Sequence, residues 1–154
     1  MAFEITRCTG VDPRWIALRG QLWPHISAAA HGDDVKQMLA ASNGYAGFLA
    51  LAGDHAAGFA EATIRRDYVN GCDTGPVVFL EGIFVVSEYR RRGVARSVIA
   101  AVETWGREMG CTELASDAAL DNLESHATHR ATGFEETERV VFFRKRIAPV
   151  ATYP

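Results

Sequence analysis

The alternation of hydrophobic and polar positions changes period several times along the chain, and each change marks an element. Phe3 to Cys8 alternates, with Phe3 and Ile5 on one face, and predicts an opening strand. Asp12-Pro13 follows, a helix cap with proline at the first helical position; Trp15, Ile16, Leu18, Arg19 and Leu22 then recur at helical spacing until Pro24. A second, short helix is predicted from Asp33 to Ala41, closed by Ser42-Asn43-Gly44. Tyr45 to Ala52, the turn Gly53-Asp54 and His55 to Arg66 form a predicted hairpin, followed by a polar, glycine-bearing loop over 67–76. Val77 to Val86 is a long apolar strand holding one acid, Glu81.

Beyond it, Val94, Val98, Ala101, Val102 and Trp105 make a helical stripe within 94–109, and Gly110 sits at the position of a C-terminal cap. Glu113 to Asp117 predicts a further strand, Asn122 to Thr132 a helix closed by Gly133, and Phe134 to Ile147 a last strand region rich in Val and Phe. The order β-α-α-β-β-β-α-β-α-β predicts one α/β domain with a mixed sheet over residues 1–147, with a flexible tail over 148–154.

Composition adds exclusions. With 154 residues, 48% hydrophobic and 23% charged, the chain suits one globular domain rather than a disordered one. A formal net charge of -3 argues against a general nucleic-acid binder. Cys8, Cys72 and Cys111 have no metal-type or CxxC spacing, and their odd number with an unremarkable N-terminus predicts reduced thiols in the cytoplasm. No apolar run approaches the ~20 residues of a membrane helix. His31, His55 and His126 form no ligand constellation, so no metal is expected.

The most informative stretch runs from Ile83 to Ala95. An apolar strand enters a basic turn, Arg90-Arg91-Arg92-Gly93, and the turn opens a long helix. A helix N-terminus presents free backbone N–H groups and partial positive charge, and the small residues Gly93 and Ala95 let an anion approach the backbone. The turn is neither a Walker P-loop nor a GxGxxG fingerprint. By itself it is either a pyrophosphate site or a basic solvated turn.

Arg90-Arg91-Arg92-Gly93-Val94-Ala95 resembles the Arg/Gln-x-x-Gly-x-Gly/Ala signature of the GCN5-related N-acetyltransferases, in the place where that family carries it. Ala131-Thr132-Gly133-Phe134 is similar to the family's ending of the fourth helix. The resemblance covers nearly the whole chain. It implies acetyl-CoA as cosubstrate, with its pantetheine arm along Ile83, Phe84 and Val85. It also implies pyrophosphate on the backbone of Arg91, Arg92, Gly93, Val94, Ala95 and Arg96, and a polar contact from Asn122.

An enzyme that acetylates amines must attract an ammonium, remove its proton and present the free amine to the thioester. Glu81 stands out, because an unpaired carboxylate is costly within an apolar strand. Either it has a cationic partner inside the protein, or it faces a pocket for a cationic ligand. Asp117, at the end of the fifth predicted strand, is either a capping aspartate or a second site acid; Glu138 is either a solvated charge or a third. Trp23 reads as core or as an aromatic wall, and His25 as a surface loop residue or part of the same mouth.

The segments Gln21 to Pro24, Ile64 to Asp73, Val77 to Val85, Ala115 to Asp117 and Gly133 to Val140 resemble the chromosomal-type aminoglycoside 6'-N-acetyltransferases. That resemblance implies substrate contacts at Trp23, Tyr68, Glu81, Asp117 and Glu138. It implies a homodimer in which C-terminal strands help complete each site. Carboxylates with flanking aromatics suit a polycationic sugar. The pattern departs at His129, where many members of the wider family carry a tyrosine that protonates the departing thiolate; an exposed helical histidine is the other reading. No cysteine lies in a nucleophile motif, so direct transfer is expected, with Glu81 and Asp117 as the catalytic acids. Rival readings are the same fold acting on a polyamine, a peptide N-terminus or a lysine, and a CoA-binding module without turnover.

Overall fold

The computed structural model of the chain describes residues 2–41 and 44–154. Strands β1 (Glu4–Arg7), β2 (Tyr45–Ala52), β3 (His55–Arg65), β4 (Val77–Val85) and β5 (Leu114–Ser116) form one sheet in that spatial order. The first three junctions are antiparallel and the β4–β5 junction is parallel. Helices α1 (Pro13–Leu22), α2 (Ala28–Ala40), α3 (Val94–Glu108) and α4 (Leu123–Ala131) follow the predicted chain order.

Two apolar cores sit on opposite faces of the sheet. The predicted α3 stripe is buried at Val94, Val98, Val102 and Trp105, joined by Ile99, against Ala46, Phe48, Ala60, Val78 and Leu80. Phe3 and Ile5 pack on this side together, as their alternation predicts. On the other face, Trp15 and Leu18 of α1 and Val35 of α2 cover Leu49 and Phe59. Covering both faces suits the parallel junction between β4 and β5.

Asp12 caps α1 as expected, its Oδ1 accepting from Arg14 N at 2.8 Å. Gly110 and Gly133 follow the last turns of α3 and α4 with φ of 85° and 96°. Helix α2 begins five residues earlier than the sequence pattern suggests, because Ser27 Oγ accepts from Ala30 N at 3.1 Å and the alanines behind it are strong helix formers. The predicted closure at Ser42-Asn43 lies outside the described residues.

The last strand is the main departure. Residues 134–147 carry no regular secondary structure, and Val141, Phe142, Phe143 and Ile147 stand exposed, Phe143 at 92%. A strand needs an edge to pair with, and within one chain this segment meets none among the described residues.

Candidate active site

Strand β4 is the spine of the site. Along β3 it pairs Ala62 with Leu80 and Glu61 with Gly82, so Glu81 is the extra residue of a β-bulge. On its other side, β4 pairs with β5 only through Val78–Leu114, Phe79–Ala115 and Leu80–Ser116. Beyond that last pair the two strands part. The β4 edge from Glu81 to Val85 then has no ladder partner among the described residues. Such an edge can hold an extended amide chain through backbone hydrogen bonds. Ile83 and Val85 pack toward α3 and Phe84 toward α1, so the backbone is what this edge offers.

The strand leads through a short 3₁₀ turn, Ser87–Tyr89, to the mouth of α3. Gly93 caps the helix at φ 84°, and Arg91 also adopts positive φ, 59°. The first backbone bond of the helix runs from Ser97 N to Gly93 O at 3.0 Å. The N–H groups of Gly93, Val94, Ala95 and Arg96 therefore have no carbonyl one turn back. A Cβ on Gly93 would meet no protein atom within 4 Å, so the approach to these donors is open. Arg91 and Arg92 are exposed beside them. The free strand edge and the open helix mouth, joined end to end, fit a pantetheine and its pyrophosphate.

The neighbouring arginines also hold the frame. Arg90 donates to Val85 O at 3.1 Å and pairs with Glu124 of α4 at 3.1 Å. Arg96 donates to Ala131 O at 2.8 Å, tying the start of α3 to the end of α4. Asn122 caps α4, its Oδ1 accepting from Ser125 N at 3.1 Å, so its amide nitrogen is the group left to face a ligand.

At the bulge, Glu81 Oε1 accepts from Thr63 Oγ1 at 2.6 Å and from Arg65 Nη2 at 2.9 Å. Its side chain remains 29% accessible and that of Arg65 43%, with the guanidinium stacked 3.5 Å from the Phe79 ring centre. Of the two alternatives read from the sequence, the structure bears out the cationic partner. The acid has a cationic partner, and the pair lies at the surface rather than within the core. Beside it, a Cβ on Gly82 would come within 2.6 Å of the Trp23 ring, so only glycine lets that indole lie on the strand. Trp23 is partly buried, also against Phe59; His25 is exposed two residues on.

A second group of predicted residues gathers around the β5–α4 connection. Asp117, His129 and Glu138 line one cavity of about 530 Å³ with Ser116 and Phe134. Tyr68 is 77% exposed on the loop before β4, while its neighbour Val69 is buried against Val77 and Phe79. That anchoring presents the phenol outward. Glu113 fixes the far end of the loop, accepting from the backbone N–H groups of Asp73 and Thr74 at 2.9 and 2.7 Å and from Thr74 Oγ1. The Thr74 hydroxyl, with those two N–H groups, holds the Glu113 carboxyl below its usual range.

One charged cluster escaped the sequence reading. Glu61 on β3 is 1% exposed and bonded to Trp15 Nε1 at 2.8 Å, to Tyr45 Oη at 2.8 Å and to Arg19 Nη1. Burial, then the charge of Glu61, pushes the Tyr45 hydroxyl far up. Arg19 Nε donates to His31 Nδ1 at 3.3 Å, and His31 Nε2, which therefore bears hydrogen, donates to Trp23 O at 3.2 Å. The guanidinium lies 5.0 Å from the Trp23 ring centre. This network holds Trp23 in place. The signal was an acid in an apolar strand, the same one that picked out Glu81.

All three cysteines are free thiols. Burial pushes Cys8 up to about 12 and raises Cys72 and Cys111 as well, so none is poised as a thiolate nucleophile. Among the described residues no group of His, Cys, Asp and Glu could hold a metal ion, and no helix is long and apolar enough to cross a membrane.

Comparison with known proteins agrees with this geometry. The model of the acetyltransferase (GNAT) family matches residues 13–134. Aminoglycoside N(6')-acetyltransferase type 1 of Salmonella typhimurium is 55% identical over 132 residues, covering 86% of this chain and 90% of that protein. The protein of the same name from Acinetobacter haemolyticus is 51% identical over 134 residues, with 86% and 90% covered. Among solved structures, AAC(6')-Iy in complex with the bisubstrate analog CoA-S-monomethyl-acetylneamine has a TM-score of 0.88 at 48% identity, covering 96% of this chain and 100% of that one. A strand whose edge opens where its partner ends, run into the bare mouth of a helix, is the acetyl-CoA cleft of this fold, and the chain belongs to the GNAT acetyltransferase family.

Proposed function

We propose that this enzyme transfers the acetyl group of acetyl-CoA directly to the 6'-amine of aminoglycoside antibiotics and so confers resistance to them. The observation that carries the reading is the placement of acids around the splay. Glu81 lies on β4 one residue past the last β4–β5 pair, and Asp117 lies one residue past it on β5. An ammonium entering the splay would meet a carboxylate on either side. The names of relatives 41–55% identical to this chain support the choice of sugar substrate.

Acetyl-CoA supplies the activated acetyl group. The β4 edge at Ile83, Phe84 and Val85 and the N–H groups from Arg91 to Arg96 bind it and hold its thioester at the splay; the Asn122 amide adds a polar contact. Glu81 and Asp117 orient the 6'-ammonium and take its proton, through water. Trp23, Tyr68, His25 and Glu138 hold the remaining rings, the aromatics by their faces and Glu138 by its charge. The ammonium competes with Arg65, which holds Glu81 until substrate arrives.

The exposed C-terminal segment supports a homodimer. Val140, Val141, Phe142 and Phe143 form an apolar run left uncovered by their own chain, and strand addition by a second copy would bury it and complete each site. Residues 1–147 make up the acetyltransferase domain and 148–154 a flexible tail. The reaction draws on intracellular acetyl-CoA, so the enzyme works in the cytoplasm. A thiol-release assay tests the reading: drugs with a 6'-amine should turn over and analogues with a 6'-hydroxyl should not. Equal rates with both, or release only with a polyamine or peptide amine, would refute it.

A further inference from the structure

Ser116 and His129 form a pair that the reading above leaves unused. Ser116 is the last β5 residue to pair with β4, which puts it at the apex of the splay. His129 Nε2 lies 2.8 Å from Ser116 Oγ, and His129 Nδ1 lies 2.7 Å from the Ser125 carbonyl oxygen one turn earlier on α4. A carbonyl only accepts, so at that distance Nδ1 must carry the hydrogen. Nε2 is then the bare nitrogen and accepts from the Ser116 hydroxyl. The Phe134 ring, edge-on to the imidazole with centres 5.0 Å apart, fixes its plane. Serine and histidine both line the cavity that holds Asp117.

We propose that Ser116 and His129 relay a proton from the reacting amine to the departing sulfur. The proposal rests on the acetyl-transfer reading and assigns it a step that Glu81 and Asp117 do not perform. Those acids take the first proton, from the ammonium. Attack by the free amine forms a C–N bond and leaves the nitrogen positively charged, with one proton still to lose. That N–H bond breaks toward Ser116 Oγ while the Ser116 O–H bond breaks toward His129 Nε2. The resulting imidazolium keeps Nδ1–H on the Ser125 carbonyl and places Nε2–H on the serine oxygen. When the C–S bond breaks, its electron pair stays on sulfur; the serine hydroxyl proton passes to the sulfur and Nε2–H restores the serine. One N–H bond is lost, one S–H bond is gained, and both side chains end as they began.

The test compares the parent with Ser116→Ala, Ser116→Thr, His129→Gln and the double variant Ser116→Ala/His129→Gln, using steady-state kinetics, coenzyme A titration and thermal unfolding. Ser116→Ala and His129→Gln should each lose on the order of a hundredfold in kcat, the size of a general acid–base contribution. KM for either substrate should hold, and the double variant should be no slower than the slower single one, because the two residues act as a unit. Ser116→Thr keeps the hydroxyl and should keep most of the rate. Independently of turnover, nitrogen-15 NMR of the free parent protein should show His129 as the Nδ1–H tautomer, with its Nε2 resonance moving in Ser116→Ala.

An unchanged kcat in a single variant that still binds coenzyme A would overturn the relay alone, as would additive losses, an Nε2–H tautomer or an acetyl group found on Ser116 by mass spectrometry. Should the alanine and glutamine variants fail to fold, Ser116→Thr and the parent tautomer decide. A parent enzyme that releases no thiol with any aminoglycoside refutes the acetyl-transfer reading, and the relay with it.

Discussion

Glu61 and Glu81 look alike in sequence and differ in every physical respect in the fold. Both are single acids inside apolar strands, β3 and β4, on the same face of the sheet. Glu61 lies under α1 and α2, almost fully buried, with Arg19, Trp15 and Tyr45 around its two oxygens. Glu81 lies on the bulge, where β5 has parted from β4, and its partner Arg65 is itself half exposed. A buried charge must be matched permanently by the protein, because nothing else can reach it. A half-exposed charge can exchange its partner for a ligand. What separates a sealed acid from an accessible one here is the helix layer overhead.

That contrast can be broken by experiment. The largest effect is expected from Glu61→Ala, which leaves the buried Arg19 guanidinium only a 3.4 Å contact with the half-exposed Asp34 carboxylate and should cost about 3–5 kcal/mol of unfolding free energy, measured by urea denaturation. A loss under ~1 kcal/mol, as for an exposed pair, would erase the distinction. Glu81→Gln should do the opposite, changing stability by less than about 1 kcal/mol while lowering turnover on the order of a hundredfold. Its affinity for coenzyme A, followed by calorimetry, should stay at the parent value.

Arg65→Ala gives a smaller effect. With its resident partner gone, Glu81 should bind the substrate ammonium more readily, and KM for a 6'-amine drug should fall about threefold, within the worth of an exposed ion pair. A rise in KM would show that Arg65 supports the site rather than competing in it. Glu113 gives the smallest effect and sets the exposed end of the comparison. Its carboxyl is held below its ordinary value of 4.5, chiefly by the Thr74 hydroxyl. Its stabilisation of the loop is therefore present above 4.5 and lost as pH falls through the lowered value. Thermal midpoints of the parent and Glu113→Gln should differ at neutral pH and converge in acid.

The helix mouth at Gly93 is legible in the sequence. Glycine and arginines between an apolar strand and an amphipathic run identify a helix mouth, since local backbone geometry follows from local residues. Trp23 and Tyr68 were recognised by resemblance, and their surroundings were not. The clamp on Trp23 comes from Gly82, Phe59 and the Glu61–Arg19–His31 network, all contacts between residues far apart in the chain. His129 read either as a proton donor to the departing thiolate or as an exposed helical residue. Its bond to Ser116 exists only because α4 returns across the end of β5.

The sequence by itself determined the element order as far as α4 and the open mouth of α3, because periodicity and turn chemistry act over a few residues, and its resemblance to a known family supplied the acetyltransferase fold. The tertiary structure alone decided which acid is buried and which is open, where β4 and β5 part, and which hydroxyl a histidine can reach. It also decided that residues 134–147, apolar enough for a strand, find no edge among the described residues of their own chain. Strand pairing and charge burial depend on what stands opposite a residue, and one-dimensional spacing carries no record of that.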